Sequence, residues 1–191
     1  MKKVAFVTGY KPYEIGIFKN TQPEVYYIKK AIEKELKQLC EEGLEWVIIS
    51  GQLGTELWAA EVVMELQAEY RQLKLAVLTP FLDQEKRWNE DNQSLYETVI
   101  AHADYVDAIS KRPYEGPQQF RNKNNFLLQK SDCLVIVYDE EHEGHVKYLL
   151  ESAKKQQYHA DYTIHMIDFY SLQMIAEEEA WMKELQQDTS M

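Results

Sequence analysis

Six short apolar runs recur along the 191-residue chain, and longer segments with a helical repeat separate them. Several of these runs are apolar at every position, which is typical of strands that are covered on both faces. Strands that alternate with helices form right-handed crossovers and a parallel sheet. The sequence therefore predicts an α/β fold, a doubly wound and mostly parallel sheet with helices on both faces. The predicted strands are Val4–Thr8, Trp46–Ser50, Leu75–Thr79, Tyr105–Ile109, Leu134–Tyr138 and Tyr162–Ile167.

The segments between the runs carry helix signals. In the first segment Thr21 can cap a helix, Pro23 suits its first turn and Gly43 can end it. A second helix is predicted from about Thr55 to Tyr70, and further helices near 92–103, 117–130, 144–158 and 172–187. One side of the second helix is marked by Leu57, Ala60, Met64 and Gln67.

No repeat, low-complexity tract or linker divides the chain. We therefore expect one domain over 1–191, with an acidic C-terminal helix from about 172. The run at 105–109 is the weakest of the six and is expected at an edge of the sheet.

The chain is acidic, with 32 acidic against 21 basic side chains and a net charge of -11. This balance argues against broad binding to nucleic acid or to anionic membranes, but it leaves room for one small basic pocket. The apolar stretch at the N-terminus is too short for a signal peptide, and no run approaches the length of a membrane span. We therefore expect a cytoplasmic protein, in which Cys40 and Cys133 are buried thiols.

Polar, glycine-containing segments follow the predicted strands, and ligands of doubly wound sheets bind at that edge. Gly51 and Gly54 lie in a turn that leads into a helix, where backbone N–H groups can hold an anion. The same glycines also suit a turn that packs the helix on its strand. Gly144 precedes another predicted helix in the same way. In "TGYKP", Gly9 permits close backbone approach, while Tyr10 and Lys11 offer an aromatic face and a cation, or form a plain turn.

Four further residues have a functional and a structural interpretation. Glu56 is favoured by the helix dipole in its first turn, and it could also accept a hydrogen bond from a ribose hydroxyl. Trp88 could stack on a base or belong to the core, whereas Trp58 suits packing. Arg112 could reach a phosphate or remain a solvated loop residue. No metal site is predicted, because "HEGH" is better explained as a solvated acidic loop.

Several segments together resemble the YpsA-like family of the SLOG superfamily, whose relatives include DprA and the LOG-type phosphoribohydrolases. They are "TGYKPYEIGIF", "EEGLEWVIISGQLGTELWAAE", "TPFLDQEKRW", "NKNNFLLQKSDCLVIVYD" and "EGHVKYLLESA". The resemblance extends to about residue 170. It implies a Rossmann-like domain that binds nucleotides or nucleotide-derived ligands such as ADP-ribose or NAD-like molecules. It also implies a link to cell division and stress responses in Gram-positive bacteria.

The resemblance extends to individual positions. The spacing of Gly51, Gly54, Glu56 and Ala59 corresponds to the superfamily's glycine-rich turn and its following acid. Lys123-Asn124 resembles the Arg-Asn pair of DprA-like members. One motif departs from the pattern. The LOG enzymes carry PGGxGTxxE after their corresponding strand, whereas this chain reads "YDEEHEGHVKYLLE".

These observations leave three functions open. The first is a protein that binds a nucleotide-derived ligand in signalling, with no cofactor required. The second is an N-glycosidic hydrolase of nucleotides, for which Glu56 is the only catalytic candidate. The third is a protein-interaction module without a small ligand. We expect binding without robust hydrolysis, because the chain lacks an activated nucleophile and a metal constellation. A protein partner and a homo-oligomer remain open.

Overall fold

The computed structural model describes residues 2–189, and its centre is a six-stranded sheet in the order β4-β3-β2-β1-β5-β6. All pairs of neighbouring strands within this range are parallel. The predicted doubly wound α/β fold is therefore confirmed. The weak run forms β4 at an edge, as predicted. The strands are Val4–Gly9 (β1), Trp46–Ile49 (β2), Lys74–Thr79 (β3), Tyr105–Ala108 (β4), Cys133–Val137 (β5) and Thr163–Ile167 (β6).

Helices follow the strands. Helix α1 contacts α2 and α6, α2 also contacts α3, and α4 and α5 pack on β1 and β6. Right-handed crossovers place α1, α2 and α3 on one face of the sheet and α4 and α5 on the other. No helix within residues 2–189 combines the length and the apolar character of a membrane span. The helices are Pro23–Glu41 (α1), Thr55–Leu66 (α2), Glu90–His102 (α3), Gln118–Lys130 (α4), Lys147–Gln157 (α5) and Phe169–Thr189 (α6).

Four helices differ from the predictions. Helix α5 begins at Lys147 with Val146 as its N-cap residue, so Gly144 lies in the loop before the helix and not at its N-terminus. Helix α1 has Gln22 as its N-cap residue instead of Thr21. Helix α6 begins at Phe169, before the predicted 172, because Asp168 accepts hydrogen bonds from the backbone N and hydroxyl of Ser171, both at 2.8 Å. Helix α2 ends at Leu66 and is buried on nearly every side, so the predicted one-sided stripe was too narrow. Its neighbours α1 and α3 and the sheet beneath explain this burial.

Strand β1 occupies the topological switch point of the sheet. The chain moves outward from β1 through β2 and β3 to β4, and then returns to place β5 on the other side of β1. Gly9 pairs with Val137 where both strands end, and a Cβ at Gly9 would lie 2.5 Å from the Val137 carbonyl oxygen. Ligands of doubly wound sheets bind in the crevice beyond such a point.

Candidate functional site

The turn between β2 and α2 holds an anion, and this anion is the protein's own Glu56 carboxylate. One carboxylate oxygen accepts hydrogen bonds from the backbone N of Ser50 (2.8 Å) and of Gln52 (3.0 Å). The Ser50 hydroxyl also donates to it at 2.8 Å, and the Thr8 hydroxyl donates to the other oxygen at 2.8 Å. Glu56 is buried. The position that a ligand anion would take at these amides is therefore occupied by a side chain.

The two glycines of this turn are packed against the protein. Gly54 has a positive φ of 88°, and a Cβ there would lie 2.6 Å from the carbonyl oxygen of Tyr10. The same carbonyl oxygen accepts hydrogen bonds from the backbone N (3.2 Å) and hydroxyl (3.0 Å) of Thr55. Gly51 backs onto Tyr96, and a Cβ at Gly51 would lie 3.0 Å from the Tyr96 ring. These contacts account for both glycines as packing residues, and a ligand role for them stays a prediction.

Tyr10 and Gly144 hold the loop between β5 and α5 on the end of β1. The Tyr10 hydroxyl accepts a hydrogen bond from the backbone N of Asp139 at 2.9 Å and donates to the His142 carbonyl oxygen at 2.5 Å. A Cβ at Gly144 would lie 2.9 Å from the Tyr10 ring. Burial raises the pKa of Tyr10 to about 12. In this structure the Tyr10 ring faces the core, so it offers no free aromatic surface.

A pocket of about 240 Å³ opens at the switch point, and we call it the switch-point pocket. It brings together three of the residues that the sequence singled out, namely Lys11 after β1 and Lys123 and Asn124 on α4. The other six were not predicted, because the sequence does not show which side chains of these segments face the same space. The complete lining is Thr8, Lys11, Gln52, Phe120, Lys123, Asn124, His145, Val146 and Leu149.

Lys123 is buried in this pocket without a partner. Glu56 and Lys123 are the only charged side chains that are buried within residues 2–189. The Lys123 side chain forms neither a hydrogen bond nor an ion pair with any residue in that range. Burial lowers the pKa of Lys123, the attraction of Glu56 opposes this, and the repulsion of Lys11 lowers it further. The hydrogen-bond donors of the Lys123 side chain are therefore unused within this range.

Asn124 adds an unused acceptor beside this cation. Its side-chain oxygen is buried and lacks a hydrogen-bond partner among residues 2–189. Buried polar groups of this kind are rare in native proteins. The pocket thus combines a buried cation with a buried acceptor.

Glu14 fixes the rim of the pocket. It accepts hydrogen bonds from the backbone N of Lys11 (2.7 Å) and from the backbone N (2.7 Å) and ring Nδ1 (2.8 Å) of His145. Burial acts to raise the pKa of Glu14, but these hydrogen bonds outweigh it and hold the pKa below its usual value. The pKa of His145 is lowered by burial, against the attraction of Glu14. Sequence reasoning missed this contact, because its two partners are 131 positions apart.

Trp88 and Arg112 lie outside the switch-point pocket. Trp88 packs edge-on against Tyr96, with 5.5 Å between ring centroids, and lines a second pocket of about 520 Å³. We call this second pocket the aromatic pocket. Arg112 is exposed and its guanidinium lies 3.6 Å from the Glu115 carboxylate. The side chains that characterise the aromatic pocket are Phe81, Lys86, Arg87, Trp88, Tyr114 and Phe120.

The histidines of "HEGH" have partners of their own. His142 Nε2 lies 2.9 Å from the Glu14 carbonyl oxygen, and His145 bonds the Glu14 carboxylate. Within residues 2–189, no group of three or more His, Cys, Asp or Glu side chains is arranged to hold a metal ion.

Comparison with known proteins identifies relatives along almost the whole chain. The model of the YspA SLOG family matches residues 5–172. A UPF0398 protein of Bacillus cereus (strain B4264) is 59% identical over 179 residues, which cover 94% of this chain and 97% of that protein. A UPF0398 protein of Bacillus thuringiensis (strain Al Hakam) is 58% identical over the same shares.

A solved structure shares the fold. DNA processing protein A from Helicobacter pylori, described for its single-stranded DNA binding mode, matches with a TM-score of 0.51 and 18% identity. The match covers 84% of this chain and 64% of that one, and at this identity it shows the fold alone. The family match, by contrast, confirms the resemblance that the sequence motifs indicated. The chain belongs to the YspA SLOG family.

Proposed function

We propose that this protein binds a phosphate-bearing, nucleotide-derived small ligand, such as an ADP-ribose-like or NAD-like molecule, in the switch-point pocket. The observation that carries the proposal is the buried Lys123 without a partner. Only the attraction of Glu56 offsets the burial of Lys123, and strongly perturbed groups of this kind cluster at functional sites. An anionic group of a ligand would supply the missing partner of Lys123.

The neighbours of Lys123 support a sugar phosphate over a bare anion. Lys11 adds a second cation at the same pocket, and the free oxygen of Asn124 requires a hydrogen-bond donor. A ribose hydroxyl supplies such a donor, and a phosphate supplies the anion. A nucleotide carries both groups, which agrees with the ligand class that the family resemblance implies.

The geometry around Glu56 favours binding over hydrolysis. One of its carboxylate oxygens accepts a hydrogen bond from the Thr8 hydroxyl and the other accepts one from the Ser50 hydroxyl, and Glu56 does not line the switch-point pocket. A general acid or base must lie within hydrogen-bond reach of the reacting atoms. We therefore assign Glu56 to the positioning of the turn, with no cofactor required.

The overall charge supports a small ligand over a nucleic-acid strand. A strand requires a broad basic surface, and this chain carries a net charge of -11. DNA processing protein A is a relative in fold only, so its single-stranded DNA binding does not outweigh this charge. The family resemblance further supports a regulatory role in the cytoplasm, linked to cell division or stress response, in which ligand binding alters contact with a protein partner.

The test compares a Lys123→Met variant with a Lys155→Met control, which alters an exposed lysine of α5. Each protein is titrated calorimetrically with AMP, ADP-ribose, NAD and pyrophosphate, and its unfolding is followed with each compound. A ligand at 100 times its Kd should stabilise the parent and the control by about 2.7 kcal/mol. Lys123→Met should lose this stabilisation. If Lys123→Met binds as tightly as the parent, the proposal is wrong.

A further inference from the structure

We infer that the aromatic pocket receives the base of this ligand, so that one free nucleotide spans both pockets. This inference rests on the proposed function, because it assumes that the phosphate lies at Lys123. In this arrangement the ribose crosses the boundary between the pockets, and the base lies against Phe81, Tyr114 and Phe120.

The two pockets are direct neighbours. Phe120 lines both of them. Gln52 lines the switch-point pocket and Gln84 lines the aromatic pocket, and the Gln52 side-chain amide donates a hydrogen bond to the Gln84 side-chain oxygen at 2.6 Å. The boundary between the pockets therefore consists of one aromatic ring and one pair of amides.

The spacing along α4 matches the build of a nucleotide. Phe120, Lys123 and Asn124 are three and four positions apart, so they lie on one face of the helix. One helical turn rises about 5.4 Å. A ribose links a base and a 5′-phosphate over a similar separation, with its hydroxyls close to Asn124.

The aromatic pocket offers rings to a planar ligand. Phe81 lies 5.2 Å from Tyr114 and 5.3 Å from Phe120 between ring centroids, and these rings are inclined to one another. Tyr114 is 55% exposed, although it belongs to this cluster. Exposed aromatic faces beside a cationic pocket are what bases stack on.

The volumes favour the same arrangement. The switch-point pocket, at about 240 Å³, suits a phosphate and part of a sugar, whereas the aromatic pocket, at about 520 Å³, has room for a purine. Lys86 and Arg87 also line the aromatic pocket, and cations over base rings add to stacking.

The experiment uses the full chain and two probes that differ by the base, AMP and ribose 5-phosphate. Tyr114→Ala removes an exposed ring, Tyr114→Phe keeps it, and Tyr158→Ala is a control for an exposed tyrosine elsewhere. We expect AMP to bind the parent more tightly than ribose 5-phosphate. Tyr114→Ala should weaken AMP binding by about 5- to 150-fold, the usual value of one stacked base, and change ribose 5-phosphate binding by less than about twofold. Tyr114→Phe and Tyr158→Ala should bind AMP like the parent.

The outcomes separate the two proposals. If ribose 5-phosphate binds and depends on Lys123, but AMP binds no more tightly or ignores Tyr114→Ala, the base site is wrong and the phosphate site stands. If neither probe binds, or if both ignore Lys123→Met, the proposed function itself fails. A parallel titration with oligothymidylate tests the source of the base. Tighter binding of that strand than of AMP, again dependent on Tyr114, would overturn the assignment to a free nucleotide.

Discussion

Glu56 and Lys123 are both buried, but only Glu56 has hydrogen-bond partners for its charged group. Glu56 accepts hydrogen bonds from Thr8, Ser50 and Gln52, whereas the Lys123 ammonium donates none to a residue within 2–189. The sequence could not show this contrast. Lys123 stands in the polar run "RNKNN", where a solvated lysine is expected, and only the family resemblance singled it out. Its burial depends on packing between α4 and β1, which no local pattern encodes.

The first residue-scale prediction concerns the stability of the ligand-free protein. Because Lys123 is buried without a partner, Lys123→Met should raise the free energy of unfolding by roughly 0.5–2 kcal/mol near neutral pH, as is usual when a functional site is made apolar. Urea unfolding of both proteins measures this difference. A lower stability of Lys123→Met would instead make Lys123 a structural partner of Glu56.

The difference between the two proteins should also depend on pH. The pKa of Lys123 lies below its ordinary 10.5 in the folded protein and returns to that value on unfolding. Between these two pKa values the unfolded chain binds the extra proton, so the stability of the parent rises with pH in this window. Lys123→Met lacks this rise. The extra stability of Lys123→Met over the parent should therefore be full below the lowered pKa of Lys123, and it should vanish as the pH approaches 10.5.

Glu56→Gln should destabilise the protein. The substitution removes the charge and places an amide NH₂ against hydroxyl and N–H donors, at a cost of about 1–3 kcal/mol. The control is Glu61→Gln on the same helix, whose carboxylate is partly exposed and lies 2.8 Å from the Lys29 ammonium. Surface ion pairs of this kind contribute about 0–1 kcal/mol. Thermal unfolding of both variants measures the difference. Equal stability of the two variants would contradict the assigned role of Glu56.

At the scale of elements, continuous apolar runs and helix signals were sufficient to predict six strands and six helices in the right order. The bounds differed where a tertiary contact decides them, as at Leu66, where α2 ends under its neighbours. The turn between β2 and α2 was harder to interpret. Two glycines followed by an acid are compatible with a ligand anion and with an internal one, and only the hydrogen bonds to Glu56 distinguish the two.

The start of α2 supports a prediction about close backbone approach. Gly54→Ala should lower the free energy of unfolding by about 1–3 kcal/mol, because the new Cβ would meet the Tyr10 carbonyl oxygen at 2.6 Å in a strained backbone. Gly16→Ala is the matched control. Gly16 also has a positive φ, but a Cβ there has open space around it. Urea unfolding should show a larger loss of free energy of unfolding for Gly54→Ala than for Gly16→Ala. Equal losses would mean that the positive φ alone causes the effect and that the contact with Tyr10 does not contribute.

At the scale of the whole molecule, the proposed site opposes the overall charge. A net charge of -11 repels anions at long range, while Lys11 and Lys123 attract them inside one pocket. Screening confines surface charges to about 10 Å at 0.1 M salt, whereas buried groups are screened much less. The acidic surface therefore selects against long polyanions without preventing a small one from binding. The rule that ligands of doubly wound sheets bind beyond the carboxyl ends of the strands predicted the location of this site. Which side chains meet there depends on packing, which the sequence does not show.

The central position of β1 also determines when the sheet can be completed during synthesis. Strand β1 is synthesised before β5, one of its two neighbours, which follows almost 130 residues later. Asp132 at the start of β5 accepts hydrogen bonds from the backbone N of Lys3 and Val4, both at 2.9 Å. Contacts between such distant segments close a long loop and slow folding. A nascent chain therefore cannot pair β1 with β5 until translation has passed residue 137. A product that is truncated before this point lacks the crevice.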